Sequence, residues 1–487
     1  MKNLKDILFK VAVEAVNGST DIIIDKIAFD SRKVKQRTLF VAQKGLLFNG
    51  HDFIDKTIDT GAVAIICEVL PKILQNNVTY IQVNDSNEAL AIIASNFYDN
   101  PSEKLKLIGI TGTNGKTTIA TLLYTLFKNA GYKSGLLSTI KIMVDEKEFP
   151  ATHTTPDSLT INQYLFEMVN QGVSHCFMEV SSHGIDQKRT SGLVFEGGVF
   201  TNLTHDHLDY HNSFAAYRDV KKSFFDQLPK SAFALTNIDD KNGEVMVQNA
   251  KARKYTYALK TVADYKGKII ENQFDGLLLN INDQEVYTKL IGAFNAYNLL
   301  AIYATADQLG MEKIEILRII SMLKTVDGRF QYSTSKSDIT AIVDYAHTPD
   351  ALRNVLETIN SIRTHNEQVI TVVGCGGDRD KNKRPKMGNI AATLSNQVVF
   401  TSDNPRSEDP ETIIREIEAG VSPENYKKTI SITDRKQAIK TACKIANKGD
   451  IILIAGKGHE TYQIIGNVRS DFDDFKIVNE FFNQLNK

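Results

Sequence analysis

Four cysteines are all that 487 residues contain, and the net charge is −1. Cys67, Cys176, Cys375 and Cys443 are scattered through apolar or glycine-rich surroundings, without metal-ligand spacing. That excludes a disulfide framework and a cysteine-built zinc module, and it fits a reducing cytoplasm. A balance of charge this close to zero gives no global field for nucleic acid or a membrane surface. No apolar run approaches the roughly 20 residues needed to span a bilayer. Internal repeats and low-complexity segments are also missing. The first sixteen residues mix lysines and acids with apolar positions, which predicts an amphipathic helix rather than the apolar core of a signal peptide. A chain of this length suggests about three domains.

What the sequence does have is centred on LIGITGTNGKTT at 107–118. A buried strand runs into a glycine turn, a lysine and two threonines. Apolar residues then recur at Ile119, Leu122, Leu123, Leu126, Phe127 and Ala130, which is helix spacing, and Gly131 ends it. Strand, glycine loop and helix make a phosphate cradle: backbone N–H groups and the helix N-terminus face an anion. Gly112, Thr113, Asn114, Gly115, Lys116, Thr117 and Thr118 form it. Lys116 is placed to reach the outer phosphates of ATP and Thr117 to ligate Mg²⁺. Ile110 stands where the usual pattern has glycine.

The fold class is α/β. Residues 1–100 read as a small α/β domain, with strands near 22–24, 39–42, 62–67 and 80–83. Its loops FDSR at 29–32 and GLLFNGH at 45–51 read, by themselves, as turns. Residues 101–331 read as a central phosphate-loop ATPase domain. HTTPD at 153–157 precedes a helix, its hydroxyls either capping that helix or binding a ligand. The strand at 175–180 ends in Glu179, a natural Mg²⁺ ligand beside a phosphate site, with Ser181, Gln187 and Arg189 following. The strand at 198–200 leads to TNLTHDHLDYH, three histidines in seven residues. The spacing is not a zinc pattern, and one histidine beside Mg²⁺ is the better reading. Lys221 and Lys222 lie about 100° apart on a helix, so they cannot both face a site. Residues 332–487 alternate strands (341–345, 369–374, 397–401, 451–455) with helices, which predicts a doubly wound, Rossmann-like domain. Its strand ends carry DYAH, GCGGDRD, DNPR and GKGHE, arginines and acids that suit a zwitterion such as an amino acid.

TGTNGKTT at 111–118, MEVSSHG at 178–184, TNLTHDHLDYH at 201–211, GAFNAYN at 292–298, DYAHTPDAL at 344–352, GCGGDRDKNKRP at 374–385, DNPR at 403–406 and AGKGHE at 455–460 together resemble the Mur ligase family. The resemblance spans all three expected domains. It implies an ATP-dependent amide ligase of peptidoglycan synthesis that adds a diamino acid to the D-Glu γ-carboxylate of UDP-MurNAc-L-Ala-D-Glu through an acyl phosphate.

Residue by residue, the resemblance implies that Lys116 stabilises the transferring phosphoryl group and that Thr117, Glu179 and His207 hold Mg²⁺. Lys221 would be carbamoylated by CO₂, turning a cation into an anion that positions Mg²⁺. Asn295 and Arg329 would contact ATP, and Asp344, Tyr345 and His347 would close over it. Phe29, Ser31, Leu46, Leu47 and Phe48 would hold the uridine end. His153, Thr154, Thr155, Ser181, Gln187 and Arg189 would hold the muramoyl-dipeptide. Arg379, Asp403, Asn404, Pro405, Arg406, Gly456 and Glu460 would recognise the amino acid. Relatives that use lysine lack arginine at the place of Arg406. A guanidinium can bind a second carboxylate bidentately, so the expected amino acid is meso-diaminopimelate.

Two departures from the family pattern are His153, where asparagine is frequent, and Gln331, where an acid is. Rival readings are a lysine-adding or folylpolyglutamate-type ligase and, from another class, a phosphate-loop switch that hydrolyses ATP without ligation. The expected protein is a cytoplasmic monomer.

Overall fold

The computed structural model describes residues 1–45, 48–206 and 208–485. The chain forms two compact units: one of Met1–Gly112, Ile119–Thr201 and Ala215–Thr256, the other of Thr113–Thr118, Asn202–Phe214 and Tyr257–Lys487.

In the first unit, a five-stranded sheet is built early in the chain. Its order is Val13–Asn17, Thr79–Val83, Ala62–Cys67, Thr38–Val41, Lys26–Ala28. The last four pair in parallel and the first is antiparallel. The expected amphipathic helix over the first sixteen residues is not there. Helix covers only Leu4–Ile7, and Val13–Asn17 is an edge strand. Val13 and Val16 are β-branched, and the ladder to Thr79–Val83 supplies hydrogen bonds that a short isolated helix lacks.

A second series of strands in this unit carries site residues. The order is Lys147–Pro150, Lys141–Val144, Ser134–Leu137, His175–Glu179, Lys106–Thr111, Gly197–Phe200, Phe233–Asn237. From Ser134–Leu137 onward neighbours are parallel. His175–Glu179 and Gly197–Phe200 are buried throughout, as a sheet covered on both faces requires. The two strands at 141–150 are an antiparallel addition that the sequence reading did not anticipate. Helix Ser158–Asn170 follows HTTPD, and Asp157 caps it by accepting from Thr160 N at 3.0 Å. The cap is therefore a carboxylate, not one of the threonine hydroxyls.

In the second unit, Tyr265–Gln273, Gly276–Ile281 and Gln284–Thr288 form an antiparallel meander, also not anticipated. Helix Ala293–Gln308 packs on it. The six-stranded sheet has the order Gln331–Thr334, Thr340–Asp344, Ile451–Ala455, Val369–Val373, Gln397–Phe400, Thr429–Ser431. All its pairs are parallel except the first. Helix Pro349–Ile362 buries Leu352, Val355, Leu356 and Ile359 on one face of this sheet. Each such side chain contributes about 1.5–3 kcal/mol when fully buried. Helices Arg435–Ile445 and Asp474–Gln484 cover the opposite face, where Ile439, Cys443, Val478 and Phe482 are buried. Arg435 and Asp474, both fully buried, pair at 2.7 Å and tie these two helices together. All four cysteines are buried.

Candidate active site

The glycine loop takes the expected form. Strand Lys106–Thr111 ends in Gly112, and helix Lys116–Asn129 begins directly after Gly115. Both glycines have positive φ, +148° and +88°, which a side chain would resist. Bonds from the TNLT segment fix the loop. Thr113 N donates to Asn202 O at 2.8 Å, and Asn114 N to Asn202 Oδ1 at 3.0 Å. Asn202 Nδ2 donates back to Asn114 O, and Thr204 N donates to Thr113 Oγ1. Lys116 Nζ donates to Thr113 O at 2.8 Å, folded over its own loop.

The second unit also gathers an arginine and three aromatic rings. Arg329 Nη2 donates to Thr117 Oγ1 at 3.2 Å, and its guanidinium lies 4.7 Å from the centre of the Tyr345 ring. His347 and His459 flank the same ring at 4.6 and 5.0 Å. Burial, then the charge of Arg329, pushes the His459 imidazole down to about 3, and burial lowers His347 as well. Burial raises the Tyr345 phenol to about 12. This is an aromatic surface flanked by Arg329 and by Lys383, whose Nζ donates to His347 O at 2.9 Å. Asp344 Oδ2 accepts from Phe330 N at 2.7 Å, so the end of strand Thr340–Asp344 and the turn at 328–330 are locked together. Asn295 is buried on its helix, bonding to Ile291 O and accepting from Asn298.

The first unit brings another set together. Glu179 is fully buried at its strand end, and its carboxylate accepts from Thr139 N at 2.7 Å and Thr139 Oγ1 at 3.2 Å. Thr139 Oγ1 also bonds to Thr154. Thr155 Oγ1 donates to Glu179 O, accepts from Ser181 N and lies 3.0 Å from Ser181 Oγ. Arg189 Nη1 donates to Thr155 O at 2.6 Å, and its other nitrogens bond to Gln187 Oε1. Thr154, Thr155, Glu179, Ser181, Gln187 and Arg189 are thus one cluster. Thr139 belongs with them and went unread, since nothing in LSTI marks a partner forty residues away.

Lys221 is buried and donates to Gly112 O at 3.0 Å, whereas Lys222 pairs with Asp226 on the same helix. The helix rotation that separates the two lysines explains this split. Phe48 is exposed, and His153 is exposed and bonds to neighbouring Thr152. Phe29 packs against the first sheet, while Ser31 opens a short 3₁₀ turn beside the exposed Asp30–Arg32 pair. Leu46, Leu47 and His207 lie outside the described residues.

At the carboxyl edge of the six-stranded sheet, residues 374–380 and 403–408 pack backbone to backbone. A Cβ on Gly377 would lie 1.8 Å from Pro405 O. Arg406 has φ +53°, and its Nη1 donates to Gly377 O at 2.7 Å. Arg384, which the sequence reading passed over as one basic residue among several in DKNKRP, is fully buried here. It bonds to both oxygens of Glu408 at 2.9 Å, to Glu416 at 2.5 Å and to Gly376 O at 3.2 Å. Glu408 in turn accepts from Asp378 N. Asp378, Arg379, Asp380, Lys381 and Glu408 line a cleft of about 500 Å³.

Arg384 holds the Glu408 carboxyl at about 2, against an ordinary value of 4.5. A depressed carboxylate contributes stability that is present above about pH 4.5 and lost as pH falls towards 2. Glu408→Gln is therefore expected to unfold in acid with a shallower dependence on pH than the parent between about pH 5 and 2. Circular dichroism against pH measures this, and identical acid profiles would contradict it.

Glu179 and Thr117 offer the oxygen donors that Mg²⁺ prefers. Among the described residues no three His, Cys, Asp or Glu side chains are grouped to hold a metal ion. Among them, too, no helix is long and apolar enough to cross a membrane.

Three family models match the chain in order. Residues 23–98 match "Mur ligase family, catalytic domain", 110–306 "Mur ligase middle domain" and 328–458 "Mur ligase, glutamate ligase domain". The chain is 54% identical over 485 residues to UDP-N-acetylmuramoyl-L-alanyl-D-glutamate–2,6-diaminopimelate ligase of Cytophaga hutchinsonii, covering 99% of this chain and 100% of that protein. It is 52% identical to the protein of the same name from Bacteroides fragilis, covering 98% and 99%. A solved structure of a ligase of that name aligns with TM-score 0.70 and 31% identity over 100% of this chain and 99% of the other.

Proposed function

This chain belongs to the Mur ligase family and has its three-domain α/β architecture, and from that premise we propose that it joins 2,6-diaminopimelate to UDP-MurNAc-L-Ala-D-Glu at the expense of ATP. It is a ligase of peptidoglycan precursor synthesis. The proposed domains are 1–100 for the UDP end, 101–331 for ATP and 332–487 for the amino acid. The setting is the cytoplasm and the working form a monomer.

The chemistry begins from a poor electrophile, since a carboxylate resists attack by an amine. Phosphoryl transfer to the D-Glu γ-carboxylate gives an acyl phosphate, and the incoming amine then displaces phosphate. Lys116 exchanges its bond to Thr113 O for phosphate oxygens and neutralises charge that develops there. Thr117, Glu179, His207 and Lys221 as its carbamate are the proposed Mg²⁺ ligands. Mg²⁺, when bound, screens the phosphate charge and orients the transfer. An unmodified Lys221 ammonium would repel the ion, so carbamoylation is part of this proposal. Asn295, Arg329, Asp344, Tyr345 and His347 are assigned to ATP, with Tyr345 and its neighbouring imidazoles suited to a planar base. Thr154, Thr155, Ser181, Gln187 and Arg189 are assigned to the muramoyl-dipeptide, together with His153. Phe29, Ser31, Leu46, Leu47 and Phe48 are assigned to the uridine end.

The observation that carries the choice of amino acid is Arg406, whose Nη1 is held on Gly377 O of the loop at 374–380, beside the bonded pair Asn404 and Glu460 in its own DNPR segment and in GKGHE. Arg379, Pro405 and Gly456 complete the assignment. A guanidinium has no use for the distal ammonium of lysine but matches the second carboxylate of diaminopimelate.

The protein is expected to convert UDP-MurNAc-L-Ala-D-Glu to the tripeptide with ATP, Mg²⁺ and diaminopimelate, and not with L-lysine, as read by mass spectrometry of the nucleotide product. Product with lysine alone would keep the ligase and reject the role of Arg406. ATP consumption indifferent to both substrates would favour the switch.

A further inference from the structure

The glycines of GKGHE fold one lysine into the interior. Lys457 follows strand Ile451–Ala455 and sits between Gly456, φ +115°, and Gly458, φ +52°. A Cβ on Gly456 would approach Asp403 Oδ2 to 2.9 Å, so this turn lies directly against the start of DNPR. The Lys457 side chain is wholly buried. Its Nζ donates to Asn404 Oδ1 at 3.0 Å and Glu460 Oε2 at 3.2 Å, and lies 3.5 Å from Asp403 Oδ1. An ammonium has three N–H donors, and three partners from two separate loops surround this one.

The same contacts link the partners to one another. Asn404 Nδ2 donates to Glu460 Oε2 at 2.7 Å, closing a triangle of Asn404, Lys457 and Glu460. Ile464 N donates to Asn404 Oδ1 and Gln463 Nε2 to Asp403 O, so the hairpin that follows GKGHE holds the triangle in place. Both bonds to the Glu460 carboxylate go to Oε2. Among the described residues nothing donates to Oε1, which is left to accept from a ligand. Lys457 is the cation in direct contact with both carboxylates, at 3.5 Å from Asp403 and 3.2 Å from Glu460. Burial, then the charge of Asp403, already raises the Glu460 carboxyl. Take Lys457 away and the two carboxylates lose the ammonium that lies between them, which favours protonation or displacement of Glu460.

We propose that Lys457 is a specificity-determining positioning residue of the amino-acid pocket: it occupies Oε2 of Glu460, orders Asn404, and so aims Oε1 of Glu460 at an ammonium of the incoming amino acid. This rests on the diaminopimelate-ligase reading above. Lys457 touches neither ATP nor the reacting carbonyl in this scheme; it acts through Glu460 and Asn404. Arg406 takes a carboxylate of the substrate while the Lys457-held carboxylate takes an ammonium, so both signs of one zwitterionic centre are read.

The test is steady-state ligation by the full-length protein with ATP, UDP-MurNAc-L-Ala-D-Glu and diaminopimelate. Lys457→Met is expected to raise the KM for diaminopimelate roughly 30-fold or more, because a buried hydrogen-bonded charge pair loses one partner. The KM values for ATP and the UDP-dipeptide should stay within about twofold, because the bonds of this triangle run among Asn404, Lys457 and Glu460 and to no residue assigned to those ligands. In a Glu460→Gln background the same substitution should cost less than about threefold, because the residue through which it acts has already been neutralised. An unchanged KM for diaminopimelate, or an equal loss in both backgrounds, overturns the proposal. If Lys457→Met is not recovered folded, Lys457→Gln, which keeps two N–H donors but no charge, is compared in the same two backgrounds. Failure of the parent protein to make product with diaminopimelate would overturn the functional reading itself; product from the parent with no effect at Lys457 overturns only this inference.

Discussion

Arg406→Ala is expected to lower kcat/KM for diaminopimelate by roughly 10²–10³-fold and to leave the KM for ATP within twofold. The guanidinium is half-buried under the loop at 374–380, where Nη1 is spent on Gly377 O at 2.7 Å. A Cβ on Gly376 would lie 2.9 Å from the same Nη1, so glycine there leaves room for this side chain. One face of the fork is thus anchored to the protein and the remaining N–H groups are held for a carboxylate. Truncation removes both the charge and its orientation. Arg406→Lys should recover only part of the loss, since an ammonium keeps the charge without the planar fork. The selectivity ratio of diaminopimelate to L-lysine should narrow in step. Parallel kinetics with the two amino acids read the effect, and an undiminished ratio in the alanine variant would remove Arg406 from recognition.

The second large effect is at the other end of the reaction. Lys116→Ala is expected to reduce kcat about 10³-fold, the scale seen when one preorganised donor to a developing charge is removed. Lys116 opens helix Lys116–Asn129 and holds Thr113 O at 2.8 Å across its own loop. The loop itself is fixed by Asn202 and Thr204, so the substitution should leave the backbone cradle intact. Nucleotide affinity should therefore fall much less than turnover. ATP consumption and ligation should fall together, because both follow the same phosphoryl transfer. Measuring ADP release beside tripeptide formation decides this: ATP turnover that persists while ligation stops would separate hydrolysis from ligation and favour the switch.

The glycine loop and the helix after it were legible because phosphate binding demands glycine, lysine and a hydroxyl in one short order. Helix Pro349–Ile362 was legible because Leu352, Val355, Leu356 and Ile359 repeat at helical spacing. The polar strand ends of the last domain were legible as a group, since apolar strands stop abruptly in charged residues. The strand Val13–Asn17 was not, because its ladder partner is more than sixty residues away and local amphipathicity reads as helix. The meander at 265–288 was missed for a similar reason: its alternation is broken by polar residues on an exposed face. Lys457 and Arg384 were hidden more completely. Lysine and arginine are surface residues by default, and only the folded loops reveal that Asp403, Asn404 and Glu460 surround one, and Glu408 and Glu416 the other. Thr139 shows the same limit at the buried carboxylate of Glu179.

The backbone at Arg406 bears on how such a pocket changes over generations. With φ at +53°, the position sits in a region where asparagine, aspartate and glycine are at ease and most other side chains are not. Its main chain is held by Ile464 O and by Gly466 N, neither of which depends on the side chain. The loop would therefore keep its course if a single codon change replaced arginine with a residue that suits this conformation better. Substrate choice and foldability are carried by different atoms of the same residue. Substitution at this position is therefore expected to change the amino acid used before it changes the stability of the fold.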